Sequence, residues 1–375
     1  MINLTEQYTP GRGGLQVTES DGQNGQDKQA ICLTVARDGS GDYDTVGEAL
    51  AALGEAEGPP ACIFIKKGVY RERLEIRRPR LTLEGESADS TVITYGLSAG
   101  MLMEDGSRRG TFRTYSVLVD THDFTARNLT FENSAGPGEE AGQALALYVD
   151  GDRILFEGCR MLGGQDTLFT GPLPPKEIQK NGFIGPKQFS PRINGRHCYR
   201  NCFICGDIDF IFGSATAYFE KCELYSVGRD AERKGYVTAA STPRGQRYGY
   251  VFRSCRFTGN SAGESVYLGR PWRDYARTVL IDCYLGPHIC REGWHDWDKK
   301  EARSTLFYGE YASYGPGAAD RGAADRDITD RQPPQHGSPR PDWVAVLTCE
   351  QAQDYTMEKV LGGADRWNPG EQAYI

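Results

Sequence analysis

FEGCRMLG (Phe156 to Gly163), YRNCFICG (Tyr199 to Gly206), FEKCELYS (Phe219 to Ser226), FRSCRFTG (Phe252 to Gly259) and LIDCYLGP (Leu280 to Pro287) share one pattern. Each runs from an aromatic or apolar residue through two mostly polar ones to Cys, then one residue, then an apolar one. The cysteines fall at 159, 202, 222, 255 and 283, at steps of 43, 20, 33 and 28. A shared motif with loops of variable length between copies marks a solenoid. One rung cannot bury its apolar face alone, whereas rungs stacked about 4.8 Å apart can. Cysteine at a fixed rung position then stacks as a small apolar group.

The surrounding chain agrees. Ile31 to Ala36, Ala61 to Tyr70, Leu81 to Ser87, Ser116 to Asp120, Phe124 to Asn133 and Ala144 to Cys159 read as short strands ended by Gly, Asp or Asn. A propeller or sandwich needs hairpins, and Asn-Gly or Asp-Gly turns between paired strands are few. Glycine is 46 of 375 residues, against about 7% usually. The expected fold is all-β, a parallel β-helix.

At the ends, residues 1–30 are polar and Gly-rich and are expected to form a flexible arm, with 31–375 a single domain. Thr45 and Glu48 form a capping box for a short helix. Residues 315–342 read as a polar, Pro-rich loop. Thr348 and Gln351 form a second capping box, leading a helix that stops at Gly362-Gly363 and covers an end or flank of the solenoid.

Composition excludes several classes. Apolar residues are 39% and charged residues 25%, ordinary for a globular protein. No stretch approaches the roughly 18 apolar residues of a membrane span. Forty-three basic against 51 acidic residues give a net charge of -8, which speaks against nucleic acid as a partner. The start, MINLTEQYTPGRGG, lacks the basic-then-apolar signal pattern, and eleven cysteines is an odd count for a disulfide framework. A cytoplasmic, reduced protein is therefore expected; a trimmed leader would make it secreted.

Two local patterns carry weak chemistry. Cys202-x-x-Cys205, with His197 and Cys198 nearby, could suggest zinc, but no second pair exists, and residues three apart on a strand face opposite ways. Gly259-Asn-Ser-Ala-Gly263 matches a nucleophile elbow, with Asp282 and His288 following, but strand rather than helix follows the serine. More informative are GGQDTLFTG (Gly163 to Gly171) and GDIDFIFGSA (Gly206 to Ala215), which place aspartates within aromatic β stretches where propensity disfavours them. Burial there raises a carboxyl pKa unless a cation compensates. YLGRPWRD (Tyr267 to Asp274) supplies an arginine beside Pro-Trp.

Together with GVYRERLEI (Gly68 to Ile76) and GQALAL (Gly142 to Leu147), the segments GGQDTL, DFIFG (Asp209 to Gly213) and LGRPW (Leu268 to Trp272) resemble the signature set of the pectin methylesterases, in the family's order. The resemblance runs from about Ile31 to the tail at Tyr355 to Pro369. The insert at 171–192 and the form YVTAASTPRGQ (Tyr236 to Gln246) resemble bacterial members. The resemblance implies a single-stranded right-handed parallel β-helix that removes methyl groups from esterified galacturonan, with no cofactor and no metal.

Matched position by position, the resemblance makes Asp209 the nucleophile, Arg270 its hydrogen-bonded cation, Asp166 the acid and then base, and Gln143 and Gln165 the oxyanion donors. Neutral amides suit that last role because they need no titration. A guanidinium beside Asp209 keeps it ionised, and the proton shifts to Asp166. Trp272, Phe169 and Phe212 are candidate sugar contacts, although simple strand alternation puts Phe212 on the face opposite Asp209. The expected partner is methylesterified galacturonan, polymer or oligomer, bound by a monomer. A β-helix lyase or polygalacturonase, or a non-catalytic carbohydrate-binding solenoid, is the alternative.

Overall fold

The computed structural model describes residues 30–228, 233–319 and 340–369. The proposed N-terminal arm and most of the Pro-rich loop at 315–342 lie outside these residues. Among the described residues the strands form three sheets of eleven, eight and seven members, and every pairing between named strands is parallel. Successive turns of the chain give one strand to each sheet. Asp152–Glu157, Arg160–Leu162 and Leu168–Thr170 make one coil, and Arg196–Arg200, Phe203–Gly206 and Ile208–Gly213 make the next. The result is a parallel β-helix.

The repeated motif forms the corner between the eleven- and eight-stranded sheets. The residue just before each cysteine sits in the left-handed region: Gly158, Asn201, Lys221, Ser254 and Asp282 have φ between 52° and 62°. One such residue turns the chain sharply and aims the next side chain inward. Glycine is one solution among several, so the motif is recognised by its cysteine and not by a glycine.

Inside the corner the cysteines form a ladder. Each Sγ points at a carbonyl of the coil before it: Cys202 to Phe156, Cys222 to Tyr199, Cys255 to Phe219 and Cys283 to Phe252, at 3.3–3.5 Å. All eleven cysteines are free thiols. The residues three positions earlier make a parallel aromatic stack. Phe156–Tyr199, Tyr199–Phe219 and Phe219–Phe252 have ring centroids 5.3, 4.7 and 4.4 Å apart and interplanar angles of 13° or less. Cys205 is half-buried and off this ladder, so the Cys-x-x-Cys pair does not converge on a metal. The Gly259–Gly263 segment leaves its strand as a loop, with the Ser261 hydroxyl donating to the Ser226 carbonyl at 3.2 Å.

Helices close the barrel. Val46–Leu53 carries the expected Thr45 cap, and the Glu72 carboxylate also accepts from Val46 and Gly47 N–H at 3.0 and 2.8 Å. At the C-terminus the capping box of Thr348 and Gln351 is present, but the expected single helix is two. Cys349–Ala352 ends in a 3-10 turn, and Thr356, extended at φ -73° and ψ 153°, caps a new helix, Met357–Leu361. Val360, Leu361 and Trp367 pack on Leu155, Cys198, Tyr218 and Val251, the outer side of the eleven-stranded sheet. Among the described residues no helix is long and apolar enough to cross a membrane.

Candidate active site

The site lies on the outer face of the seven-stranded sheet. Leu118, Tyr148, Phe169, Phe212, Ala239 and Arg270 are in register across six consecutive strands. Leu118, Tyr148, Phe169, Phe212 and Ala239 belong to one apolar cluster outside the barrel, whereas their neighbours Leu147, Leu168 and Ile211 belong to the interior core.

Asp209 breaks that alternation. The strand Ile208–Gly213 carries a bulge between Ile208 and Ile211, and Asp209 has φ +49°. Phe210 and Ile211 both enter the interior core. Two consecutive inward residues put Asp209 on the same outer face as Phe212 and Arg270. The alternation argument that separated Phe212 from Asp209 is therefore corrected, because it assumed an unbroken strand.

Arg270 meets Asp209 with both arms: Nε donates to Oδ1 at 2.9 Å and a terminal nitrogen to Oδ2 at 2.6 Å. The guanidinium itself is clamped between two rings, 3.8 Å from the Tyr236 centroid and 3.7 Å from that of Trp297. Stacking fixes a planar fork at little entropic cost and suits arginine, not lysine. Trp297 is held in turn by its N–H donating to His295 Nδ1 at 2.9 Å.

Asp166, buried and also left-handed at φ +65°, lies one coil away. Its N–H donates to the Ile208 carbonyl at 3.0 Å, directly before Asp209. Burial raises the proton affinity of both acids. For Asp166 the Asp209 charge adds to this, and its pKa lies well above the usual carboxylate range. For Asp209 the hydrogen bonds and charge of Arg270 pull in the opposite direction, although the net shift is still upward. Arg270 thus opposes the desolvation at Asp209, as the expected guanidinium–carboxylate pairing requires. The division of labour survives, because only Asp209 is bonded to the guanidinium, so the shared proton settles on Asp166.

Gln143 and Gln165 sit on adjacent coils, joined by a backbone bridge that precedes the Asp166 strand. Both are part-exposed. The geometry therefore gathers one oriented carboxylate, one buried acid of raised proton affinity and two neutral amides on three successive coils. Such a set can attack a carbonyl, stabilise the resulting oxyanion and protonate a leaving group.

The comparisons with known proteins bear on the same residues. The family model described as Pectinesterase matches residues 32–172 and 192–325. The chain belongs to the pectinesterase family. Pectinesterase 31 of Arabidopsis thaliana is 36% identical over 294 residues, covering 76% of this chain and 83% of that protein. Pectinesterase/pectinesterase inhibitor 18 of the same plant is 35% identical over 295 residues, and the match spans 48% of its length. The chain thus spans about half of some curated relatives and most of others. Among solved structures, the pectin methylesterase from carrot superposes with a TM-score of 0.71 at 32% identity, covering 92% of this chain and 96% of that one. A pectin methylesterase in complex with a hexasaccharide superposes at 0.67 with 30% identity, covering 90% and 97%. The β-helix is accordingly the right-handed one of this family.

Within this pectinesterase fold the three aromatic candidates differ. Their rings form one cluster, with Phe169–Phe212 centroids 4.9 Å and Phe212–Trp272 centroids 5.6 Å apart. Trp272 keeps a partly exposed face, whereas Phe169 is 0% and Phe212 4% exposed. Phe169, enclosed by Phe112, Tyr148, Phe212 and Trp272, supports the wall and presents no face to a sugar. Phe183, from the insert, packs against Trp272 at 6.2 Å and completes that wall. Sequence reading missed Tyr236 and Trp297. Each is an ordinary aromatic in its local segment: Tyr236 reaches Arg270 from the paired strand of the coil before, and Trp297 from a later loop.

Proposed function

We propose that this chain hydrolyses methyl esters of galacturonan to carboxylate and methanol. The observation that carries the reading is the bidentate Arg270–Asp209 pair next to an Asp166 with no arginine bonded to it among the described residues. Asp209 attacks the ester carbonyl, and the Gln143 and Gln165 amides donate to the oxyanion that forms. Asp166 gives its proton to the departing methoxide, leaving an Asp209 acyl anhydride and free methanol. The Asp166 carboxylate then takes a proton from water, whose oxygen attacks the anhydride. Asp209 is released as carboxylate and the proton is back on Asp166.

The partner in this reading is a methylesterified galacturonan lying along the outer face past Trp272. A hexasaccharide-bound pectin methylesterase of similar fold supports an oligomeric sugar ligand. The enzyme would act as a monomer without cofactor. The buried thiol ladder suits a reducing compartment, so we propose a cytoplasmic location, checked by cell fractionation. The function itself is tested by measuring methanol and unsaturated product from methylated pectin, with and without a chelator. Methanol release that a chelator leaves unchanged is expected. Unsaturated product would favour a lyase, and neither product a binding solenoid.

A further inference from the structure

The catalytic group contains a third acid that this chemistry does not use. Asp207 is 3% exposed and two residues before Asp209. Its backbone ties three coils together: its N–H donates to the Gly164 carbonyl at 3.2 Å, and its own carbonyl accepts from Tyr236 at 3.1 Å. The first contact leads into Gln165 and Asp166, and the second reaches a ring that clamps Arg270. Its carboxylate accepts from Ile208 N–H at 2.6 Å. The same carboxylate lies directly against Gly138. A side-chain carbon at 138 would overlap both of its oxygens and approach the Gln165 nitrogen to 2.8 Å. Gly138 opens the turn Gly138–Ala141, which ends at Gly142 immediately before Gln143.

We propose that Asp207 is a positioning residue of the active site: its carboxylate seats the turn that presents Gln143 and adds a third carboxyl group to the Asp166–Asp209 pair. The proposal deepens the esterase reading and rests on it for the role of Asp166. The charged groups facing Asp166 are Asp209, Asp207 and Arg270, and those facing Asp209 are Arg270 and Asp207. Glu139 and Glu140, on the turn packed against Asp207, are exposed, so solvent screens their charge. Both remaining acids gain proton affinity from Asp207. Neutralising it therefore lowers the affinity of each.

The test compares wild type with Asp207→Asn and Asp207→Ser, two neutral variants that keep a hydrogen-bonding side chain. The pH profile of kcat/KM for methanol release from methylated pectin is expected to move acidwards on both limbs by about one pH unit. Activity on the alkaline limb then falls about tenfold. A role confined to packing would lower thermal stability and kcat but leave both limbs where they were, and that result overturns the proposal. Asp207→Glu keeps the charge but displaces the turn. It is expected to retain the wild-type limbs with reduced kcat. Carboxyl carbon NMR titration of Asp166, assigned by its loss in Asp166→Asn, reads the same shift without turnover. A protein that releases no methanol sinks the esterase reading. An Asp166 titration unmoved in the neutral variants sinks this one.

Discussion

The cysteine corner and the catalytic face are built from the same coils and obey opposite rules. At the corner five coils repeat the same turn and the same thiol, and four of them place a ring three residues earlier, so like residues meet one coil away. At the catalytic face the coils present Gln143, Gln165, Asp209 and Arg270, so that beyond the paired glutamines the residue type changes from coil to coil. Two of those coils carry acids with positive φ, and one carries a bulge. Repetition supplies rigidity, and the chemistry sits where repetition is interrupted.

Four substitutions and a pH profile can break or sharpen this contrast. Asp209→Ala should reduce methanol release by about 10⁴-fold or more, as removal of a nucleophile does elsewhere, while the circular dichroism melt stays cooperative. A retained rate would mean the catalytic face is no more specialised than the corner. Phe219→Ala should do the reverse. It removes one of the two inner rings of the four-ring stack and should cost about 3–5 kcal/mol in denaturant unfolding, with kcat of the folded enzyme unchanged. Gln165→Ala should slow turnover by about 10²–10³-fold, as loss of an oxyanion donor does; a wild-type kcat would exclude that amide from the reaction.

The pH dependence follows from the direction of the two carboxyl shifts. The proposed mechanism needs Asp209 ionised and Asp166 protonated, and both have raised proton affinity, Asp166 the more so. The profile should therefore be bell-shaped, with the acid limb shifted upward from an ordinary aspartate and the alkaline limb well above it. It falls on the acid side as Asp209 protonates and on the alkaline side as Asp166 ionises. A rate that rises without an alkaline limb would remove Asp166 as the acid. The smallest effect belongs to the corner: Lys221→Asn, at φ +53°, should stabilise by about 0.5–1 kcal/mol, since asparagine tolerates this conformation. No change in the unfolding midpoint would mean that the turn imposes no local strain.

The corner was legible because a repeat advertises itself. Five cysteines, four of them with a ring and one with a leucine three residues ahead, could be read as stacked rungs without any knowledge of function. The catalytic acids stood out as aspartates among aromatic β residues, but their roles came from the resemblance. Three things stayed hidden. The bulge that turns Asp209 outward defeats a rule based on alternation. The ring clamp on Arg270 joins residues 34 positions apart on one side and 27 on the other, and nothing in the segments around Tyr236 or Trp297 marks them. The net proton affinity of Asp209 depends on how much water the fold removes, which residue order alone does not state.

The position of Ala239 has a consequence for how this architecture can change. Asp209 and Arg270 belong to strands on either side of Gly235–Ala240, and Ala239 is the register partner of Arg270. The two groups are thus separated by two inter-strand spacings, about 9–10 Å, which is near the combined arm's length of an arginine and an aspartate. On the intervening strand Ala239 lies between Phe212 and Arg270 and adds only a methyl group, while the Tyr236 ring stacks on the guanidinium. A further coil inserted there would push the partners beyond the span of any side chain. The solenoid is free to lengthen at its tips and in its loops, but the stretch from Gly206 to Pro271 must keep its coil count.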